Sequence, residues 1–171
     1  MENPAIYVAD LAAYNNGILH GVWIDATQDI EDIWQAVRDM LKVTPLDEVA
    51  EEWAIHDYMN FGSLRISEYQ GIESTHELAI FIEEHGELGA AVLKNFQGDV
   101  EQATKALEED YAGEYEALAD FARELTEDTN EVPESLSFYI DYEAMGRDIE
   151  LGGDVFTIET GYQQLHIFWN R

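Results

Sequence analysis

Glu73 and His76 are the first residues whose types and spacing suggest chemistry. A Glu three residues before a His is the carboxylate–imidazole pair that di-iron helix bundles project inward. Such a centre needs a second pair, and no other His in the chain has a Glu three residues before it. Ser74 and Glu77 offer a plainer reading of the same stretch, a capping box at a helix start. His56 and Asp57 are adjacent in an apolar run of strand type, which points them to opposite faces and argues against a dyad. The chain has no GxSxG, phosphate loop, GxGxxG or HExxH, and no alternating Asp/Asn calcium loop. Without cysteine there are no disulfides and no thiolate ligands. These residues lead to a protein that is not an enzyme and has no metal or cofactor of its own.

The chemistry the chain does have in quantity is carboxylate. It has 171 residues, with 37 Asp plus Glu against 8 Lys plus Arg, a formal charge of -29. Direct nucleic-acid binding is excluded, because it needs a basic surface that displaces counterions. An anionic membrane would repel the chain in the same way. Apolar residues make up 46%, too many for a disordered acidic chain, so folded cores are expected. Self-repulsion on this scale favours an elongated form over a compact one. The first residues, MENPAIYVAD, lack the basic and apolar regions of a signal peptide, and no apolar run is as long as a membrane span. The expectation is a cytosolic protein.

The elements that must carry these charges form three segments of an α+β chain. In the first, 1–62, Ala5–Asp10 reads as a strand, Asn16-Gly17 as a hairpin turn, and 18–25 as the returning strand. Ile30, Ile33, Trp34, Val37 and Leu41 predict an amphipathic helix over 29–42, and 53–58 predicts a third strand. The second segment, 63–107, reads as mainly helical. Its helix from the Ser74 box stops at Gly86, another runs over 87–96, and Asp99 caps a third over 100–110. The third, 108–171, reads as α/β: a helix over 114–127, a polar linker 126–134, a helix over 135–149, and a hairpin over 154–169 turning near Gly161. Net charge is -10, -5 and -14 in the three segments, so the acidity is not confined to a tail.

In the predicted helix 114–127, Tyr115, Leu118, Ala122 and Leu125 make one apolar stripe, and Glu116, Asp120, Glu124 and Glu127 point the other way. Carboxylates three or four residues apart are about 4.5–6 Å apart along the axis. A DNA strand places one phosphate per about 3.4 Å. One helix face comes within a factor of about two of that density, and two faces together match it. Like charges at this spacing cost about 0.2–0.5 kcal/mol per pair, a cost that interleaved Lys would remove. The candidate surface is this face with Glu108, Glu109, Asp110 and Glu114 leading into it, and Asp25, Asp29, Glu31 and Asp32 in the first segment. The last three also suit a helix first turn, where the macrodipole favours anions.

Five stretches, taken in order, resemble the ArdA family of antirestriction proteins: YVADLAAYNNGILHGVWID (7–25), EWAIHDY (52–58), IEEHGELGAAVL (82–93), YAGEYEALADFA (111–122) and YIDYEAMGRDI (139–149). The resemblance covers nearly the whole chain. It implies an elongated chain of three small domains (α/β, mainly helical, α/β), a homodimer joined through its C-terminal part, and a likeness to bent B-form DNA. It further implies carriage on conjugative plasmids or transposons. The implied action is inhibition of Type I restriction–modification enzymes in the bacterial cytoplasm, at the methyltransferase core of modification and specificity subunits. The composition alone leaves a second class open, an acidic module that binds another basic DNA-binding protein.

Overall fold

The structure is a computed structural model that describes residues 2–47 and 49–171. The chain is mixed α+β with two small antiparallel sheets, and its contacts gather into two units, Met1–Val100 and Glu101–Arg171. No helix among the described residues is long and apolar enough to cross a membrane.

In the first unit, β1 (Ala5–Asp10) is the central strand of a sheet ordered β2-β1-β3, with β2 at Gly21–Asp25 and β3 at Trp53–Met59. Both neighbours run antiparallel to it; Ala5 faces Asp25 on one side and Met59 on the other. Ile6, Val8 and Ile24 are buried, as are Ile33, Val37 and Met40 of helix α2 (Ile30–Lys42), the amphipathic helix its spacing predicts. The β1–β2 connection corrects the expected tight turn. A short helix α1 (Leu11–Asn15) intervenes, started by the buried Asp10 carboxylate accepting from the Ala13 N–H at 3.0 Å. Asn16 closes α1 and Gly17 follows at φ 77°, so Asn-Gly here ends a helix and makes no two-residue hairpin.

Helix α3 (Ile72–Asn95) bends at Gly86, whose φ of 62° and ψ of -144° interrupt the helical backbone where the sequence places a stop. Its start differs from the capping-box expectation. The helix begins two residues before Ser74, with Gly71 at the cap, and the Ser74 hydroxyl accepts instead from the Gln70 amide at 3.2 Å. Burial of Ile72 and Thr75 draws this extra turn into the helix.

The second unit opens with α4 (Val100–Lys105), which continues as a wider π-helical turn over Ala106–Asp110. The chain then enters β4 (Tyr111–Tyr115), the first strand of a sheet ordered β4-β6-β5, with β5 at Val155–Gly161 and β6 at Gln164–Trp169. The expected helix over 114–127 is therefore a strand followed by α5 (Leu118–Thr129). The expected helix over 135–149 is two pieces, α6 (Glu134–Ser137) and α7 (Tyr142–Leu151). The break falls where Asp141 caps α7 by accepting from the Ala144 N–H and where Tyr142 is buried. Phe121, Val155 and Ile167 centre the core, and Leu118 and Leu125 of α5 and Ile149 of α7 pack around them. α5 and α7 approach closely at Gly146, where an added Cβ would lie 2.8 Å from the Leu118 carbonyl oxygen.

Candidate functional site

The residues with metal or acid–base potential have structural partners. Glu73 accepts from the Trp34 indole N–H at 3.0 Å, and His76 Nδ1 donates to the Ala26 carbonyl at 2.8 Å. The pair thus ties α3 to the first sheet and α2. His56 stands at a β-bulge, between the Tyr7–Asp57 and Val8–Ile55 pairings. Its Nε2 is 3.5 Å from Glu68, and its ring meets the edge of Tyr14; Asp57 accepts from the next backbone N–H instead. Among the described residues, no three His, Asp or Glu side chains converge to hold a metal ion.

A polar chain on β4, β5 and β6 escapes any reading of helical spacing. The Tyr111 hydroxyl and His166 Nδ1 are 2.8 Å apart, and Thr160 Oγ1 lies 3.0 Å from His166 Nε2. Burial holds the imidazole below its ordinary value, and the Glu114 charge opposes that shift. A neutral ring accepts at one nitrogen and donates at the other, which satisfies both contacts. The signal for this face lay in the alternation of β6: Leu165, Ile167 and Trp169 join the core, and His166 and Phe168 turn to the opposite side of the sheet.

The acidic candidates divide by position. Asp120, Glu124 and Glu127 lie on α5 at spacings of four and three, away from Phe121 and Ala122, with Glu124 and Glu127 exposed and Asp120 partly buried. Glu116 is exposed just before the helix, where it accepts from Gln163, and Glu114 is exposed on β4. Glu108 and Glu109 are exposed on the π-helical turn. Asp110 corrects the reading: at 8% exposure it faces inward, 3.6 Å from Arg171. Arg123, the one base on α5, lies over the Tyr142 ring, 5.3 Å from its centroid, a cation–π contact.

In the first unit, Asp25, Asp29, Glu31 and Asp32 are exposed, and three of them have local work. Asp25 accepts from Asn3 and from both the backbone and hydroxyl of Thr27. Burial alone would raise its pKa; these hydrogen bonds outweigh that and hold it below the ordinary carboxylate value. Asp29 caps α2 through the Glu31 N–H, and Glu31 pairs with Arg38.

Helix dipoles set α5 and α7 apart from the longer helices and α4 that precede them. In α2, α3 and α4, acids occupy the first turn and a lysine the last (Lys42, Lys94, Lys105), the arrangement the dipole favours. Glu127 and Asp128 end α5, and Asp148 and Glu150 end α7, with no base in either last turn. Each such carboxylate opposes the negative end of its helix, against a favourable term of about 0.3–1 kcal/mol for a base there. Of these four only Glu150 has a local partner that offsets the cost, accepting from the Thr157 hydroxyl at 2.6 Å.

No curated protein sequence matches the chain. The family profile described as antirestriction protein (ArdA) matches residues 6–164. That span takes in the first sheet from Ile6 on, β4 and β5 of the second, the kinked α3 and the acidic ends of α5 and α7, and by it the chain belongs to the ArdA family of antirestriction proteins.

Proposed function

We propose that this protein inhibits Type I restriction–modification enzymes by imitating B-form DNA and occupying the DNA groove of their methyltransferase core, formed by modification and specificity subunits. The observation that carries this is the acidity at the C-terminal ends of α5 and α7, placed where it weakens the helices and left without bases. Charge kept at a cost to local stability calls for a partner, and a groove built for phosphates is a fitting one. Phosphate-like charge without base edges predicts inhibition across enzymes of differing sequence specificity.

In solution, the proposed form is an elongated homodimer whose domains are 1–62, 63–107 and 108–171, acting in the bacterial cytoplasm. Small-angle scattering should then give a radius of gyration well above the roughly 15–16 Å of a compact monomer of this length. The decisive experiment is competition. Purified protein should block DNA cleavage by a Type I enzyme and displace DNA from its methyltransferase core, less effectively as salt rises. Unimpaired cleavage at a large molar excess would overturn the proposal.

A further inference from the structure

The first sheet buries Ile6, Val8 and Ile24 on one face, so strand alternation turns Tyr7 and Trp23 to the other. Register sets one row across the three strands, with Trp23 opposite Tyr7 and Tyr7 opposite Asp57. The next row on the same face is Asp25, Ala5 and Met59. Trp23 and Met59 are each 43% exposed, and Asp25 and Asp57 are exposed beside them.

The backbone beneath sets the rings. Tyr7 leans over Gly21 of β2, where an added Cβ would lie 2.7 Å from Tyr7 Cζ and 2.5 Å from the Val8 carbonyl oxygen. Glycine in a strand leaves room for such a close approach. The Trp23 ring stands 5.5 Å from Tyr7, centroid to centroid, tilted by 51°. Covering a strand glycine accounts for Tyr7. It does not account for a half-exposed indole beside two carboxylates.

Charge selects the occupant. Asp57 uses Oδ1 on the Tyr58 N–H, at 2.8 Å, and keeps Oδ2 for a further donor. Asp25 is fixed by Asn3 and Thr27 and adds its charge to the face. A second copy would bring the same carboxylates to the contact. A planar cation fits both the rings and the carboxylate. A guanidinium stacks on aromatic faces and offers several N–H donors in one plane, whereas the lysine ammonium is a strongly hydrated point charge. Tyr7 and Asp57 belong to neighbouring strands about 4.8 Å apart, a separation that one arginine head can bridge.

We infer that Tyr7, Trp23 and Asp57 form an arginine-recognition site, in which a guanidinium stacks on the rings and donates to the Asp57 carboxylate. Resting on the function proposed above, that arginine belongs to the methyltransferase core. The acids elsewhere on the protein attract any base at long range, and this face selects arginine over lysine at contact.

The site is tested apart from the enzyme by titrating the full-length protein with hexa-arginine and with hexa-lysine at one ionic strength. The readout is the indole N–H resonance that Trp23→Phe deletes. The two peptides carry the same side-chain charge, so their general attraction to the acidic surface is matched. Hexa-arginine should saturate the shift of that resonance at a concentration about fivefold lower, and Asp57→Asn should narrow the gap. Equal saturation by the two peptides would overturn the site and leave the proposed function standing. Purified methyltransferase core then tests the partner. Its affinity should fall about fivefold in Trp23→Ala and recover in Trp23→Tyr, with circular dichroism establishing that both variants are folded. Unchanged affinity in Trp23→Ala would overturn the core as the partner of this face. Absence of wild-type binding to the core would overturn the proposed function and the partner together. Conversion of a wild-type dimer to a monomer by Trp23→Ala would assign the face to a second copy and overturn the inference.

Discussion

Tyr115 and Glu124 show what a single hydrogen bond adds to an acidic surface. The phenol donates to Glu124 Oε1 at 3.0 Å, fixing one carboxylate of the exposed α5 face. Burial first, then this hydrogen bond and the charges of Glu124 and Asp128, push the phenol up to about 12 from its ordinary 10.0. A pKa raised on folding stabilises fully below the unfolded value of 10.0, and that contribution disappears as pH rises through about 12. In a spectrophotometric titration of the folded protein, one tyrosine should ionise near about 12. Tyr115→Phe should delete that step, and Glu124→Gln should move it down toward 10 without reaching it, because burial remains. An unmoved step in Glu124→Gln would refute the coupling. The pair was not legible in the sequence. On one helix, residues nine apart lie on opposite sides at 100° per residue; these two touch only because Tyr115 belongs to a strand.

That strand explains which elements the sequence revealed and which it hid. Tyr115, Leu118, Ala122 and Leu125 fall at helical spacing, and all are partly or fully buried in the second unit. Their core membership was therefore legible although the element was not. The end of β4 delivers Tyr115 to the place a preceding helical turn would have. Gly113 gave a warning: its φ of 137° accompanies the register shift between Tyr111 and Gly113 in the β4–β6 pairing. Strong signals survived intact, among them the α2 stripe and the final hairpin, because each is fixed by its own periodicity. Gly86 survived for a backbone reason. Its φ of 62° and ψ of -144° belong to a region that side chains disfavour, and no atom lies within 4 Å of an added Cβ. Gly86→Ala should accordingly destabilise the protein through backbone strain alone, by about 1–3 kcal/mol, as read from urea unfolding. A change under about 0.5 kcal/mol, the range of an ordinary surface substitution, would show that the bend does not require glycine.

At the scale of the whole molecule, charge acts on folding and on binding with opposite signs. The first unit has 19 acids and 4 bases over 100 residues, and the second has 18 and 4 over 71, so the shorter unit is the more densely charged. The charge balance was legible from composition. Its placement against the helix dipoles was not, because that depends on where α5 and α7 end. Salt screens exposed charges over about 10 Å at 0.1 M, so raising it should increase the melting temperature while weakening inhibition of a Type I enzyme. A single reversal separates the two roles. Glu127→Lys puts a base in the last turn of α5 and removes a like charge three residues from Glu124. It should stabilise the fold by about 0.3–1 kcal/mol and weaken inhibition at low salt, with the difference from wild type shrinking as salt rises. One replacement among many charges should have only a modest effect on inhibition, so Glu127→Lys/Asp148→Lys, which also reverses the end of α7, should widen the gap in both directions. Were both variants to gain stability and inhibit as well as wild type, the acidic helix ends would have no part in the partner contact.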